Sequence, residues 1–276
     1  MSLALFRTTL KLSQWAIMAW AVFLVLYGVL ILLLYPAIQE SSGKVLQDYL
    51  RSLPEGMLNA MGLTKSALDR ILSKEGYSLG GWLSTEYLIW WPVMAGIYAF
   101  IFGSGTVARE VERGTMELLL SHPISRSQVV VSKFVSFLAI TGLLVVSTVA
   151  GIAAGLLLIG GDVDLVRVFL AVLQGGMAVV CIASYSLLIS CLTLDPRKAM
   201  AVAGGTMAGL YILNLIRPLL DSFPWIVKLS LFSYYRPIDV IVQKEFAISS
   251  VLVYACVTAV CFAAALLVFQ RRKAVV

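Results

Sequence analysis

The sequence predicts an all-α integral membrane protein with six transmembrane helices, organised as one transmembrane domain over residues 1–276. Three observations carry this. Apolar residues fill 60% of the chain and charged residues 13%, against about 45–50% and 25% in soluble domains. Six apolar runs, 15–35, 87–105, 134–159, 168–192, 199–216 and 251–269, approach or exceed the roughly 20 residues that cross about 30 Å of hydrocarbon as a helix. No stretch alternates over the roughly 10 positions a membrane-barrel strand needs. Lipid cannot satisfy free backbone N–H and C=O groups, so apolar runs of this length read as helices.

Ahead of the first run, Leu3, Leu5, Phe6, Leu10 and Leu12 are interspersed with Thr8, Thr9, Lys11 and Ser13. The pattern predicts an amphipathic segment over 1–14, lying along the membrane before the first span. The apolar run that follows is too long for a cleavable signal core and has no small-residue cleavage site. Residues 36–86 form a long loop. Within it Thr64 can cap a helix carrying Ala67, Leu68, Ile71 and Leu72, stopped at Gly76. Such a helix covers the outer mouth or rests on the outer leaflet. Residues 217–249 contain Pro218, Pro224 and Pro237 and read as short external or re-entrant helices.

Six spans put both termini on one side, and charge names the side. With cytoplasmic termini, the inner segments hold 11 of 21 Lys and Arg in about half the loop length of the outer segments. Arg197, Lys198 and the run Arg271, Arg272, Lys273 weigh most, because they abut span ends. The inner segments hold 4 acidic residues and the outer ones 11. The net charge of +6 then reflects topology and lipid contact rather than nucleic-acid binding.

Several chemistries have no footing here. No GxxxxGK[ST] loop is present, so ATP hydrolysis by the usual route is not expected of this chain. No charged residue lies in the central part of any predicted span, which argues against a proton- or sodium-coupled path. Cys181, Cys191, Cys256 and Cys261 fall inside spans without CxxC spacing and read as packing residues. His122 is the lone histidine. No catalytic residues, metal ligands or cofactor of its own are expected.

The chemistry concentrates in 107–127. Arg109, Glu110, Glu112, Arg113 and Glu117 make a polar surface, while Val107, Val111 and Leu118 share a helical face. Gly114 interrupts the helix pattern and implies a bend or close backbone approach. Pro123 ends it, and Ser125 with Gln128 forms a capping box that can start the next helix. The arrangement is a short helix held at the ends of two spans.

Residues 110–126 resemble the E-x-E-x-G-T-φ-E-x-L-L-S-x-P-φ-S-R signature (φ hydrophobic) of permease subunits of ABC-2-type ATP-binding cassette transporters. The match is close over about 17 residues, and the outline of six spans is similar; the long 36–86 loop is a departure. The resemblance implies that this segment includes a coupling helix seated on a separate ATPase. Glu110, Glu112, Arg113, Gly114, Thr115, Glu117, Pro123 and Arg126 then become coupling residues. It also implies two cytoplasmic ATPase subunits that bind ATP and Mg, a second permease subunit, identical or related, and export as the direction. The second and fifth spans would face the path, making Trp90, Met94, Tyr98, Met207, Tyr211 and Asn214 lining residues for an apolar or amphipathic substrate such as a drug, antibiotic, lipid or peptide. Trp90 and Trp91 fit an interfacial aromatic belt as well. The alternative is a non-transport ABC-like complex that passes ATPase movement to an external partner or regulates a membrane enzyme. Two GxxxG patterns, Gly151/Gly155 and Gly205/Gly209, mark close helix contacts within or between subunits.

Overall fold

The computed structural model describes residues 2–60, 72–73, 76–116, 125–217 and 224–272. It is helical apart from a two-residue antiparallel pairing. The elements are α1 (Leu3–Ser52), α2 (Glu55–Ala60), β1 (Leu72–Ser73), β2 (Gly76–Tyr77), α3 (Leu79–Glu86) and α4 (Trp91–Glu112). They continue with α5 (Arg126–Ile159), α6 (Leu165–Thr193), α7 (Pro196–Leu215), α8 (Pro224–Val227), α9 (Pro237–Ile241) and α10 (Ile248–Arg271). Among the described residues, five stretches are long and apolar enough to cross a membrane: Leu3–Ala37, Leu79–Glu112, Arg126–Ile159, Leu165–Thr193 and Ile248–Arg271.

α1 is the first departure from expectation. One helix of 50 residues covers the expected 1–14 segment, the first span and the start of the 36–86 loop, and it passes through Pro36. At 1.5 Å per residue it extends about 75 Å, more than twice the hydrocarbon thickness. Its first two-thirds pack along a neighbouring helix. Leu5, Thr9, Ile17, Leu24, Ile31 and Leu32 are buried at helical spacing, and α1 lies along α5. Ser2 caps the helix through its side chain, while its own N–H donates to Ser132 Oγ at 2.8 Å. Gly151 and Gly155 of α5 let the two backbones meet: a Cβ at Gly151 would lie 2.7 Å from Val25 Cα.

The predicted helix starting at Thr64 lies mostly outside the described residues. Where it is described, Leu72–Ser73 pairs with Gly76–Tyr77 rather than completing a helix. Beyond it, aromatic donors tie α3 and α4 into the bundle. Trp82 Nε1 donates to Ile31 O at 2.9 Å, Tyr87 Oη to Leu24 O at 2.7 Å and Trp91 Nε1 to Thr148 Oγ1 at 2.8 Å. Each of these three buried donors has thus found an acceptor, which its removal from water requires.

α6 is the central helix. Residues 181–187 are all buried, and it packs against α4, α5, α7 and α10. α7 corresponds to the fifth predicted run but is not among the five stretches above. Gly204, Gly205, Gly209, Thr206 and Asn214 dilute its apolar character. Even so, α7 carries the chain from one end of the bundle to the other. At one end, near Pro196, Arg272 donates to Leu192 O, Arg126 donates to Arg272 O, and Gln270 Nε2 donates to Ser127 Oγ at 2.8 Å. At the other end, Ser230 Oγ donates to Leu210 O at 2.6 Å and Tyr254 Oη to Leu231 O at 2.9 Å. Ser2 lies at the first end too, so the two ends of the described chain share one end of the bundle. Residues 224–247 form short helices over the other end, two of them started by Pro224 and Pro237, as the prolines predict.

Candidate functional site

The polar segment between α4 and α5 sits at the end of the bundle that holds both chain ends. α4 stops at Glu112, and Arg113 N–H donates to Arg109 O at 3.1 Å. Gly114 then takes φ of +67°. Left-handed backbone is costly for residues with a Cβ, so the glycine answers a conformational need. A Cβ there would meet nothing within 4 Å. The turn therefore points into open space, and the expected bend is present.

Beneath the turn lies a buried polar cluster. Lys133, near the start of α5, donates from Nζ to Thr106 O at 3.1 Å and pairs with Glu110 Oε1. The other Glu110 oxygen accepts from Thr115 Oγ1. The side chain of Lys133 is 9% exposed and that of Glu110 25%. One carboxylate thus joins α4, the turn and α5. A charge this far from water persists only when paired and hydrogen-bonded, and both conditions hold.

An apolar anchor completes the clamp. Met116, 1% exposed, packs into a cluster with Val107, Val130, Leu187, Cys191, Ala265 and Phe269. Four helices, α4, α5, α6 and α10, contribute to that socket. α4 and α6 approach closely here: a Cβ at Gly103 would lie 2.7 Å from Ala183 O, and Ser190 Oγ accepts from the Val107 and Ala108 N–H groups at 3.2 and 3.0 Å. Arg126 lies 6.0 Å from the Phe269 ring centroid, and the Ser125–Gln128 capping box is formed.

The eight predicted coupling residues therefore divide. Glu112, Arg113 and Gly114 are exposed. Glu110 and Thr115 face inward and hold the turn, and Arg126 ties α5 to the end of α10. Glu117 and Pro123 lie outside the described residues, as does His122. Met116 and Lys133 were missed from sequence. Met116 is a single apolar residue between Thr115 and Glu117, signalled in the sequence only as the φ after G-T in the 110–126 string. Lys133 reads as one more positive charge at a span end.

The predicted path residues divide as well. Trp90 and Tyr211 meet with ring centroids 6.2 Å apart, joining α4 and α7. Met207 fills the notch over Gly96, where a Cβ would lie 2.8 Å from its Cε. Tyr98 does not join them; it packs against Trp20 of α1 and Phe137 of α5. Met94 and Asn214 are half-buried. Among the described residues, no three His, Cys, Asp or Glu side chains converge as a metal-binding group.

The described residues thus form a bundle of long apolar helices with one clamped polar turn exposed at the end that holds both chain ends. The chain belongs to the family described as ABC-2 family transporter protein, whose model matches residues 6–274. It is also 28% identical over 88 residues to a Bacillus subtilis (strain 168) protein named Uncharacterized protein YhcI. That match covers 32% of this chain and 28% of the relative's length. Membership makes the chain a multi-pass membrane component of the ABC-transporter type, a class that generally leaves ATP hydrolysis to an associated ATPase.

Proposed function

We propose that the chain is the permease subunit of an ABC exporter. It moves an apolar or amphipathic substrate across the membrane, driven by two cytoplasmic ATPase subunits that bind ATP and Mg. A second permease, identical or related, completes the path. The observation that carries this reading is the exposed Glu112–Arg113–Gly114 turn, fixed from below by the Glu110–Lys133 pair and by Met116. A rigid turn passes a push on to α4 and α5 instead of absorbing it.

In this reading the turn and the segment after it contact the ATPase, which closes on ATP and displaces the ends of α4 and α5. The end-to-end course of α7 supports its role as a sixth span, with both termini on one side, and the Lys and Arg at the span ends favour the cytoplasm as that side. Pairing of permeases is supported by the α7 face bearing Gly205 and Gly209, where an added Cβ meets nothing within 4 Å.

Charge reversal tests the reading. Glu112→Lys and Arg113→Glu are expected to reduce ATPase co-purification or transport-stimulated hydrolysis while the permease still inserts. The cost is roughly 2–5 kcal/mol if the contact is desolvated and about 1 kcal/mol or less at an exposed rim. Wild-type assembly and efflux in both variants would overturn the coupling role. Assembly with coupled hydrolysis but no efflux would favour the non-transport alternative.

A further inference from the structure

The end of the bundle away from the termini holds a cavity of about 600 Å³. Arg217, Lys228 and Arg236 line it, together with Asp239 and Glu245. Arg217 follows α7, Lys228 follows α8 and Arg236 precedes α9, so three separate elements bring positive charge to one space. The backbone around it is well tied. Tyr234 Oη donates to Lys228 O at 2.9 Å, and Glu245 N–H donates to Asp239 O at 2.9 Å.

The carboxylates compensate the cationic wall only in part: two of them face three cations. Asp239 lies 3.8 Å from Arg236 and accepts from Gln243 Nε2 at 3.0 Å. Among the described residues, Arg217 and Lys228 have no ion-pair partner. Partial burial and the neighbouring Arg236 charge hold the Arg217 guanidinium below its ordinary pKa. The two guanidiniums therefore repel one another, and an anion between them would remove that repulsion.

The chain on either side of the lining residues indicates where this cavity sits. Trp225, Leu229 and Ile248, each within two positions of a lining residue, are 62%, 61% and 69% exposed, and Phe246 lines the cavity itself. Exposed tryptophan and aliphatic residues beside cations are characteristic of the lipid headgroup level. Phosphate is the anion that arginine forks match best there.

We propose that this cavity binds a phosphate group, held by Arg217, Arg236 and Lys228, and that a phospholipid headgroup supplies it while its acyl chains lie against Trp225, Leu229 and Ile248. The site is independent of how the protein is energised. Asp239 opposes the anion and limits its affinity.

The test uses full-length protein, delipidated in non-ionic detergent, with binding read by native mass spectrometry and by thermal shift. The probes are short-chain phosphatidylglycerol, diacylglycerol with the same chains, and inorganic phosphate. Phosphatidylglycerol is expected to bind and stabilise, with diacylglycerol at least about tenfold weaker, the factor that the loss of a single charge-assisted contact already gives. R217Q/R236Q should weaken phosphatidylglycerol about tenfold by the same reasoning. D239N should tighten it, a gain that misfolding cannot produce. Protection by inorganic phosphate equal to that by the lipid would support the phosphate site and overturn the lipid source. Equal binding of diacylglycerol and phosphatidylglycerol, or unchanged affinity in both R217Q/R236Q and D239N, would overturn the proposal.

Discussion

Lys133 and Glu110 lie on different helices, 23 residues apart in sequence, and meet beneath the exposed turn. Removing the lysine leaves a largely buried carboxylate without its counter-charge. Breaking a buried pair from one side costs roughly 3–5 kcal/mol at the fully buried limit; Glu110 is one-quarter exposed, so the expected loss is smaller. Lys133→Met should lower the thermal unfolding temperature of the purified protein, and Glu110→Gln added to it should restore much of the loss. No recovery in the double variant would show that the two side chains act separately. Gly114 makes a different demand. With open space around it, Gly114→Ala adds no clash and bears only the left-handed backbone cost of about 1–2 kcal/mol. Gly114→Asn should be milder, since asparagine visits that region more readily. Denaturation of the three proteins side by side decides this, and equal stability of all three would refute it.

Among the helices, the two GxxxG patterns read alike in sequence but differ in their surroundings. In α5, Gly151 and Gly155 face the backbone of Val25 and the side chain of Leu32, so a larger residue must push α1 away. In α7, a Cβ added at Gly205 or Gly209 would meet nothing within 4 Å among the described residues. Gly151→Leu should destabilise the isolated protein by about 1–3 kcal/mol, as overpacking does. Gly205→Leu should leave its unfolding temperature unchanged. Comparable destabilisation by both would mean that α7 is also packed on that face. The contrast bears on pairing, because a Gly205→Leu protein that stays stable yet loses self-association would place the second subunit against α7.

For the molecule as a whole the open quantity is topology. If α7 crosses the membrane, Lys198 and Lys228 lie on opposite sides, while Glu112 and Lys198 lie on the same side. Single cysteines at Glu112, Lys198, Lys228 and Ser52, in a background lacking the four native cysteines, report this through an impermeant maleimide. Ser52→Cys and Lys228→Cys should label in intact cells, and Glu112→Cys and Lys198→Cys only after lysis. Protection of position 228 together with position 198 in intact cells would leave α7 on one face and reduce the spans to five.

Composition, run length and local chemistry already implied a helical membrane protein, the Ser125 capping box, the bend at Gly114 and the broken helices after residue 217. These follow from hydropathy, proline and glycine, each of which acts over a few neighbouring residues. The 110–126 string likewise pointed to a family whose model spans residues 6–274. Contacts between distant residues were not legible in this way. No local pattern tells Glu110 to turn inward onto Lys133 while Glu112 stays exposed, nor sends Met116 into a socket shared by four helices. The face that α1 buries depended on α5 lying beside it, and the gathering of Arg217, Lys228 and Arg236 around one cavity depended on how the end of α7 and two short helices meet at one end of the bundle. Membership of the membrane and the position of the polar turn follow from properties summed along the chain. Which of the turn's residues face a partner, and which hold it in place, was decided only by packing, because burial of a side chain is set by whatever other segment comes to cover it.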